Sequence, residues 1–198
     1  MTEREVLLTG IGGQGVQLAA QSLARAAAVE GKRVSLFGVY GGMMRGGNSD
    51  STIVVADGPI LAPPLVSHAW SAIVLHHKFW PPLAGRMRPG GVLVVNSSLF
   101  EGELDRDQLR VFEVPATDLA TELGNAMAAS MVIAGAYASI TGLVGLAALV
   151  DGMAQSVPPY RRQHVDTNTA ALTAGFEAGP RLVAPAWKLL AADKALVP

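Results

Sequence analysis

The chain predicts an α/β fold, a Rossmann-like, mostly parallel sheet flanked by helices, with a mainly helical C-terminal part. Three observations carry this. The N-terminal residues alternate strand, helix and strand. Short runs of β-branched and aliphatic residues then recur up to about position 115, and beyond Asp118 strand patterning ceases while helical periodicity continues. The 198 residues suit a single unit, residues 1–198, with a sheet core over 1–115 and helices over 116–198. A chain of this length buries a sizeable core without disulfide or metal staples.

Val6-Leu7-Leu8-Thr9 is a short apolar run that leads into glycine-rich sequence. Between Val16 and Ala28, the residues Val16, Leu18, Ala19, Leu23 and Ala27 share one helical face, so the segment reads as strand, tight turn and helix. Gly31 stops the helix and 33–37 supplies the next strand, which makes a βαβ unit and with it a parallel sheet. After the glycine-rich stretch 38–47, the β-branched run 51–55 ends in the turn Ala56-Asp57-Gly58-Pro59. Two more buried strands are predicted at 70–75 and 91–95. The segment 78–87 between them reads as helical after Pro81-Pro82 and ends at Pro89-Gly90-Gly91.

The last strand is predicted at 110–114, followed by helices at 117–123, 125–140, 144–156 and 167–192, the last broken at Gly179-Pro180. Asn125 takes the N-cap position of the long apolar helix and Asp166-Thr167-Asn168 opens the C-terminal one, so capping accounts for these residues.

Half of the residues are apolar and 16% are charged, against roughly 25% charged in an ordinary soluble domain. So little charge implies that apolar surface meets other chains. Lys plus Arg (15) and Asp plus Glu (16) nearly cancel, which lacks the basic footprint of a nucleic-acid binder. With no cysteine, disulfides, catalytic thiols, thiolate-held iron–sulfur clusters and Cys-type zinc sites are excluded from this chain. Met1 to Glu5 leads directly into a strand without a targeting leader, so a cytoplasmic location is expected. The stretch 126–150 carries no charge and is long enough to cross a bilayer. Its Ser130, Ser139 and Thr141, its glycines at 135, 142 and 145 and its lack of basic flanks favour two buried helices broken near Thr141-Gly142.

Gly10-Ile11-Gly12-Gly13-Gln14-Gly15 fits G-x-G-x-x-G between the first strand and the first helix, where a dinucleotide fingerprint belongs. Backbone N–H groups there can accept an anion. An NAD(P) site also needs an acid at the end of the second strand to hold the ribose, and Phe37-Gly38-Val39-Tyr40 stands there instead, with Glu30 placed before the strand. Three readings stay open: close packing of strand on helix, a phosphate-bearing ligand other than NAD, and NAD(P) itself. The second glycine-rich loop, Tyr40-Gly41-Gly42-Met43-Met44-Arg45-Gly46-Gly47-Asn48, falls on the same carboxyl edge of the sheet. Its Arg45 suits a carboxylate or phosphate clamp or a subunit interface.

His76-His77 on a strand end would point to opposite faces, which is poor geometry for a shared metal. His68 and His164 have no ligand pattern around them. No nucleophile elbow or paired-carboxylate arrangement is present, so neither a catalytic residue nor a metal ligand is assigned.

Taken together, the strand followed by Gly10–Gly15, the loop from Tyr40-Gly41 to Arg45-Gly46-Gly47 running into a strand, Asn125 heading an apolar helix, and Asp166-Thr167-Asn168 with Gly175 beyond resemble one family. It is the gamma subunit, or equivalent domain, of 2-oxoacid:ferredoxin (acceptor) oxidoreductases. The resemblance implies a part in an enzyme that oxidatively decarboxylates a 2-oxo acid, often to an acyl-CoA, with electrons passed to ferredoxin or another acceptor. It implies thiamine-binding alpha- and beta-type subunits and a ferredoxin-like iron–sulfur subunit as partners. Thiamine diphosphate and the clusters would lie on those partners, no activity would belong to the isolated chain, and CoA contacts would fall to Gly10, Gly12, Gly13, Gln14, Gly15, Tyr40, Arg45, Gly46 and Gly47.

One departure stands out. Where family members often carry Pro-Glu in the second loop, this chain has Gly42-Met43, and the apolar loop leans toward an aryl or branched 2-oxo acid of the indolepyruvate or phenylglyoxylate type. The alternatives are a stand-alone NAD(P)- or nucleotide-binding protein and a ligand-free homo-oligomeric scaffold.

Overall fold

The computed structural model describes residues 2–40, 46–61 and 66–188, with the side chains of Val39 and Tyr40 outside that description. Strands β1 (Glu3–Ile11), β2 (Arg33–Tyr40), β3 (Asn48–Ala56), β4 (Ala69–Val74), β5 (Met87–Asn96) and β6 (Leu109–Val114) form one sheet in the order β2-β3-β1-β4-β5-β6. The neighbours β1, β4, β5 and β6 are parallel, as predicted. β3 is the exception, being antiparallel both to β1, from Glu3↔Ala56 to Ile11↔Asn48, and to β2, from Arg33↔Ala56 to Tyr40↔Ser49. β1 and β2 therefore run in the same direction, as the βαβ reading requires, yet do not touch. β-branched patterning marks a strand without naming its neighbours.

Alternation along the strands separates two cores. Val6, Leu8, Ile53, Val55, Ile73, Val92 and Val94 face the main helices. Leu7, Val54, Ala72, Val74, Leu93 and Val95 face the opposite side, which is covered by Trp80, Leu83, Phe100 and Leu104. On the first side, α1 (Val16–Val29) and α4 (Ala129–Thr141) lie on the sheet, α5 (Leu146–Ser156) packs on α1, and α6 (Val165–Ala178) packs on α4. Two shorter helices, α2 (Pro81–Ala84) and α3 (Ala116–Glu122), complete the set.

Every residue of α4 is buried, as a helix apolar on all sides requires. The uncharged stretch is thus two helices parted at Gly142, of which α4 is buried throughout whereas α5 buries only one face, through Ala148, Leu149, Gly152 and Met153, and no helix among the described residues is long and apolar enough to cross a membrane.

Three expectations need correction. The segment 78–87 is a 3-10 turn at His77–Phe79 plus the single turn of α2, and β5 begins at Met87. Its register against β4 jumps from Ala69↔Met87 to Ser71↔Val92, so the Pro89-Gly90-Gly91 stretch sits in a bulge inside the strand. At the C-terminus α6 ends at Ala178 and does not continue beyond Gly179-Pro180 in the described residues. There Leu182, Ala184 and Ala186 donate their N–H groups to the carbonyls of Ser139, Ile140 and Thr141 at 2.8, 3.1 and 2.7 Å. The segment supplies partners for the orphan carbonyls at the end of α4, a gain that helix continuation would forfeit. The rest of the predicted helix, 189–192, lies outside the described residues.

α4 and α6 meet backbone to backbone. A Cβ on Gly135 would collide with Leu172 O, and one on Gly175 with Val132 O. Gly175→Ala is expected to cost about 2–3 kcal/mol by forcing the helices apart, read as a lowered midpoint in denaturant unfolding. Deep in the same core the Tyr137 hydroxyl lies 2.8 Å from Ser71 Oγ, and burial raises its pKa far above the ordinary tyrosine value. Tyr137→Phe leaves Ser71 short of that partner and should cost about 1–2 kcal/mol in the same measurement.

Candidate functional site

The order of strands reverses between β1 and β4, so their carboxyl ends form the crevice where open α/β sheets bind ligands. The first glycine loop lies there. Gly13 (φ 103°) and Gly15 (φ 85°) occupy left-handed backbone that favours glycine. Gln14 closes the turn on itself. Its Oε1 accepts the Ile11 N–H at 2.7 Å while its own N–H donates to Ile11 O at 3.0 Å. A Cβ on Gly10 would lie 2.9 Å from both Gln14 Oε1 and Val16 Cγ2, so Gly10 serves packing of the strand against the helix.

The second loop comes to the first, as expected, and the contact is a hydrogen bond from Gly12 N–H to Gly47 O at 2.8 Å. Gly46 is left-handed. Tyr40 ends β2 through its backbone pairing with Ser49; its side chain, and Arg45 with 41–44, lie outside the described residues. Below the loops Gln17 ties α1 to β3: its Nε2 donates to Asp50 O at 2.9 Å, and its Oε1 accepts from Ser51 Oγ at 2.9 Å.

Beside the first loop opens a cavity of about 500 Å³. Three helix beginnings converge on it: Gly13 and Gly15 from α1, Asn125 and Ser130 from the start of α4, and His164 and Asn168 from the start of α6. Helix N-termini present unpaired N–H groups and partial positive charge. Those of Gly13 and Gly15 have no hydrogen-bond partner among the described residues. Ser130 and Asn168 are 2% and 8% exposed, and neither side chain is hydrogen-bonded within the described residues.

Arg161 reaches the rim from a 3-10 turn, Pro159–His164, which stands exposed between α5 and α6. Among the described residues the ion pairs are Arg88 with Glu5 and Arg106 with Glu113, so Arg161 is not paired there. Hydroxyl, amide, guanidinium and backbone N–H donors around one space suit a phosphate or carboxylate. No nucleophile–base hydrogen bond occurs among them, and no cluster of three metal-ligating side chains exists among the described residues.

The predicted loop residues thus divide. Gly13 and Gly15 line the cavity, while Gly10, Gly12, Gln14 and Gly47 hold the loops in shape. Asn125 caps the 3-10 turn Ala126–Ala128 that leads into α4, its Oδ1 accepting the Met127 N–H at 3.2 Å, whereas α4 itself starts at Ala129 without a side-chain cap. Capping fails for Asp166 and Asn168, because α6 starts earlier, at Val165, with no side-chain cap. The sequence does not mark Ser130, Arg161 and Asn168 as cavity residues, and it shows no ligand pattern around His164, which also lines the cavity. The one available signal was the pair Arg161-Arg162 in a chain so poor in charge.

His76 and His77 are not divided by a strand, since β4 ends at Val74. Their rings lie 4.5 Å apart, His76 Nδ1 accepts the Lys78 N–H, and desolvation, followed by the charge of His77, lowers the pKa of His76. His68 approaches Ser67 Oγ at 3.1 Å through Nδ1.

The dinucleotide arrangement is not met. β3 separates β1 from β2, and Glu30 is engaged at the far end of α1, accepting the Gly145 N–H at 2.7 Å.

Residues 5–178 match the family model for pyruvate ferredoxin/flavodoxin oxidoreductase. The 2-oxoglutarate synthase subunit KorC of Methanothermobacter thermautotrophicus is 31% identical over 180 residues, which span 88% of this chain and 94% of that protein. The gamma subunit of a keto/oxoacid ferredoxin oxidoreductase from Geobacter sulfurreducens has the same fold with a TM-score of 0.76 at 28% identity, covering 89% of this chain and 96% of that one. For the pyruvate oxidoreductase subunit PORC of Thermotoga maritima the TM-score is 0.70 at 25% identity, with 89% and 97% covered. Nearly full-length agreement in sequence and fold leaves no unmatched domain in these relatives, and the chain belongs to the pyruvate ferredoxin/flavodoxin oxidoreductase family as a gamma-subunit type member.

Proposed function

We propose that the chain is the gamma subunit of a cytoplasmic, thiamine-dependent 2-oxoacid:ferredoxin oxidoreductase complex, and that its crevice holds the phosphate-bearing part of CoA. The carrying observation is the convergence of three helix N-termini on a cavity with Ser130 and Asn168 buried and unpartnered at its wall. The donor set fits the group. Free N–H groups of Gly13 and Gly15 and the Arg161 guanidinium would hold phosphate oxygens, and Asn168 and Ser130 would fix their orientation. CoA supplies a thiol that accepts the acyl group, while this chain binds and orients.

Catalysis itself belongs to the partners in this reading, thiamine-binding alpha- and beta-type subunits and a ferredoxin-like iron–sulfur subunit. The absence of cysteine agrees with clusters held elsewhere. The relatives' names refer to 2-oxoglutarate, pyruvate and the branched 2-oxo acid ketoisovalerate, so an aryl substrate rests on the apolar Met43-Met44 loop and low charge alone. A free-standing NAD(P) protein is disfavoured by β3 lying where the ribose-binding strand would stand beside β1.

Tagged chain drawn from its native cytoplasm should bring down cluster-bearing partners and reduce a dye when a 2-oxo acid, CoA and thiamine diphosphate are added. Recovery of an inert lone chain, or micromolar NAD(P) binding by it, would overturn the assignment. In the complex, Arg161→Ala or Asn168→Ala should raise KM for CoA about tenfold, the loss of a bond worth roughly 1.5 kcal/mol, with kcat little changed. An unchanged KM in both variants would remove the crevice from CoA binding while leaving the subunit reading intact.

A further inference from the structure

On the other face of the sheet, away from α1 and the crevice, three oxygens stand unsatisfied. β3 turns Ser49 and Ser51 toward Gln17 of α1, and the intervening Asn48 and Asp50 therefore point to the opposite side. β1 does the same with Thr9, in step with Leu7 of the second core. Thr9 pairs with Asp50, and Ile11 with Asn48, so Thr9 and Asp50 are cross-strand neighbours with Cβ atoms roughly 5 Å apart. Asn48 follows one pleat nearer the carboxyl edge.

Asn48 Nδ2 donates to Asp50 Oδ2 at 2.7 Å. Thr9 Oγ1, Asn48 Oδ1 and Asp50 Oδ1 remain, each atom shut off from solvent and with no hydrogen-bond partner, unlike Ser130 and Asn168, which open onto a cavity. Thr9 is 0% exposed. Buried polar atoms are normally paired and buried charge is compensated, so three orphans at one place on two adjacent strands call for a shared partner. The ion pairs among the described residues do not include Asp50.

We infer that Thr9, Asn48 and Asp50 bind an alkali-metal cation, K⁺ or Na⁺, between β1 and β3. Carboxylate, amide carbonyl and hydroxyl are hard oxygen donors suited to such an ion. One carboxylate among neutral oxygens matches a single positive charge. Mg²⁺ demands near-ideal octahedral geometry and is usually bound through one or two carboxylates plus substrate phosphates, whereas two of the three donors here are neutral. A water molecule could hydrogen-bond to the same atoms but brings no charge to set against the Asp50 carboxylate. The ion would lie just below the hydrogen bond from Gly12 to Gly47 and would brace the strands from which both glycine loops spring. This inference does not rest on the CoA reading.

The test is thermal unfolding of the full chain in KCl, NaCl and tetramethylammonium chloride at equal ionic strength. At ten times its Kd a cation that binds only the folded chain raises the folding constant about tenfold, a midpoint rise of roughly 3–6 °C for this size. The rise should vanish in Asp50→Asn, which removes the charge, and shrink in Thr9→Val, which removes the hydroxyl at nearly constant shape. Equal midpoints in all three salts, or an undiminished rise in Asp50→Asn, would overturn the site. Should the Asp50 variant fail to fold, crystals of the unaltered chain grown with Tl⁺ decide the matter. An anomalous peak touching all three oxygens supports the inference, and ordinary water density there overturns it.

Discussion

The crevice depends on the backbone contact between α4 and α6. α4 is buried along its whole length, so it cannot use a polar face to orient itself, and its position is set by what it can approach closely. Gly135 and Gly175 remove the side chains that would keep the two helices apart. The helices then run side by side with their starts at the same end: Ser130 and Asn168 share the cavity, and Ser139 Oγ reaches Gly179 O at 2.9 Å at the other end. α1 is drawn into the same arrangement at Gly15, where a Cβ would collide with Ser130 Oγ. Three helix dipoles pointing their positive ends at one space is an electrostatic cost for an empty globule, and an anion relieves it.

Much of the fold was legible because it follows from local periodicity. The β1 and α1 patterns, the strand at β6 and the split of the uncharged stretch into α4 and α5 all reflect burial along one element. What was not legible is pairing. Residues of β3 look like any buried strand, and their insertion between β1 and β2 depends on the chain turning back after Tyr40. The Pro89-Gly90-Gly91 stretch reads as a helix stop from local chemistry, but the ladder with β4 accommodates it as a bulge. At Gly179-Pro180 a helix break was visible; that the following segment would serve the carbonyls of α4 was not, since those acceptors lie some forty residues away in sequence.

The site was half legible for a related reason. Glycines in a G-x-G-x-x-G spacing announce a tight turn at a helix start, and the turn is there. The spacing does not say which glycines a ligand can use. Here the amide of Gly12 is taken by Gly47 and that of Ile11 by Gln14, which leaves Gly13 and Gly15 facing the cavity. Asn168 drew attention only as a supposed cap, because a polar residue near a helix start has that ready explanation. Arg161 sits in a 3-10 turn with no motif around it, and only folding brings it to the rim.

The two glycine loops therefore divide the labour of one edge. The first turns the amides of Gly13 and Gly15 to the crevice; the second meets the first through a carbonyl, Gly47 O. Tying that carbonyl to Gly12 N–H fixes the distance between the loops. The bond has little room to slip, because β3 is registered residue by residue against β1 right up to Asn48. On this view the insertion of β3 is more than a topological variation. In a sheet with β2 beside β1 and β3 outside it, Gly47 at the start of β3 would stand one strand further from Gly12, and its carbonyl would need another donor. The strand that excludes a dinucleotide ribose is the same strand that brings the second loop into contact with the first.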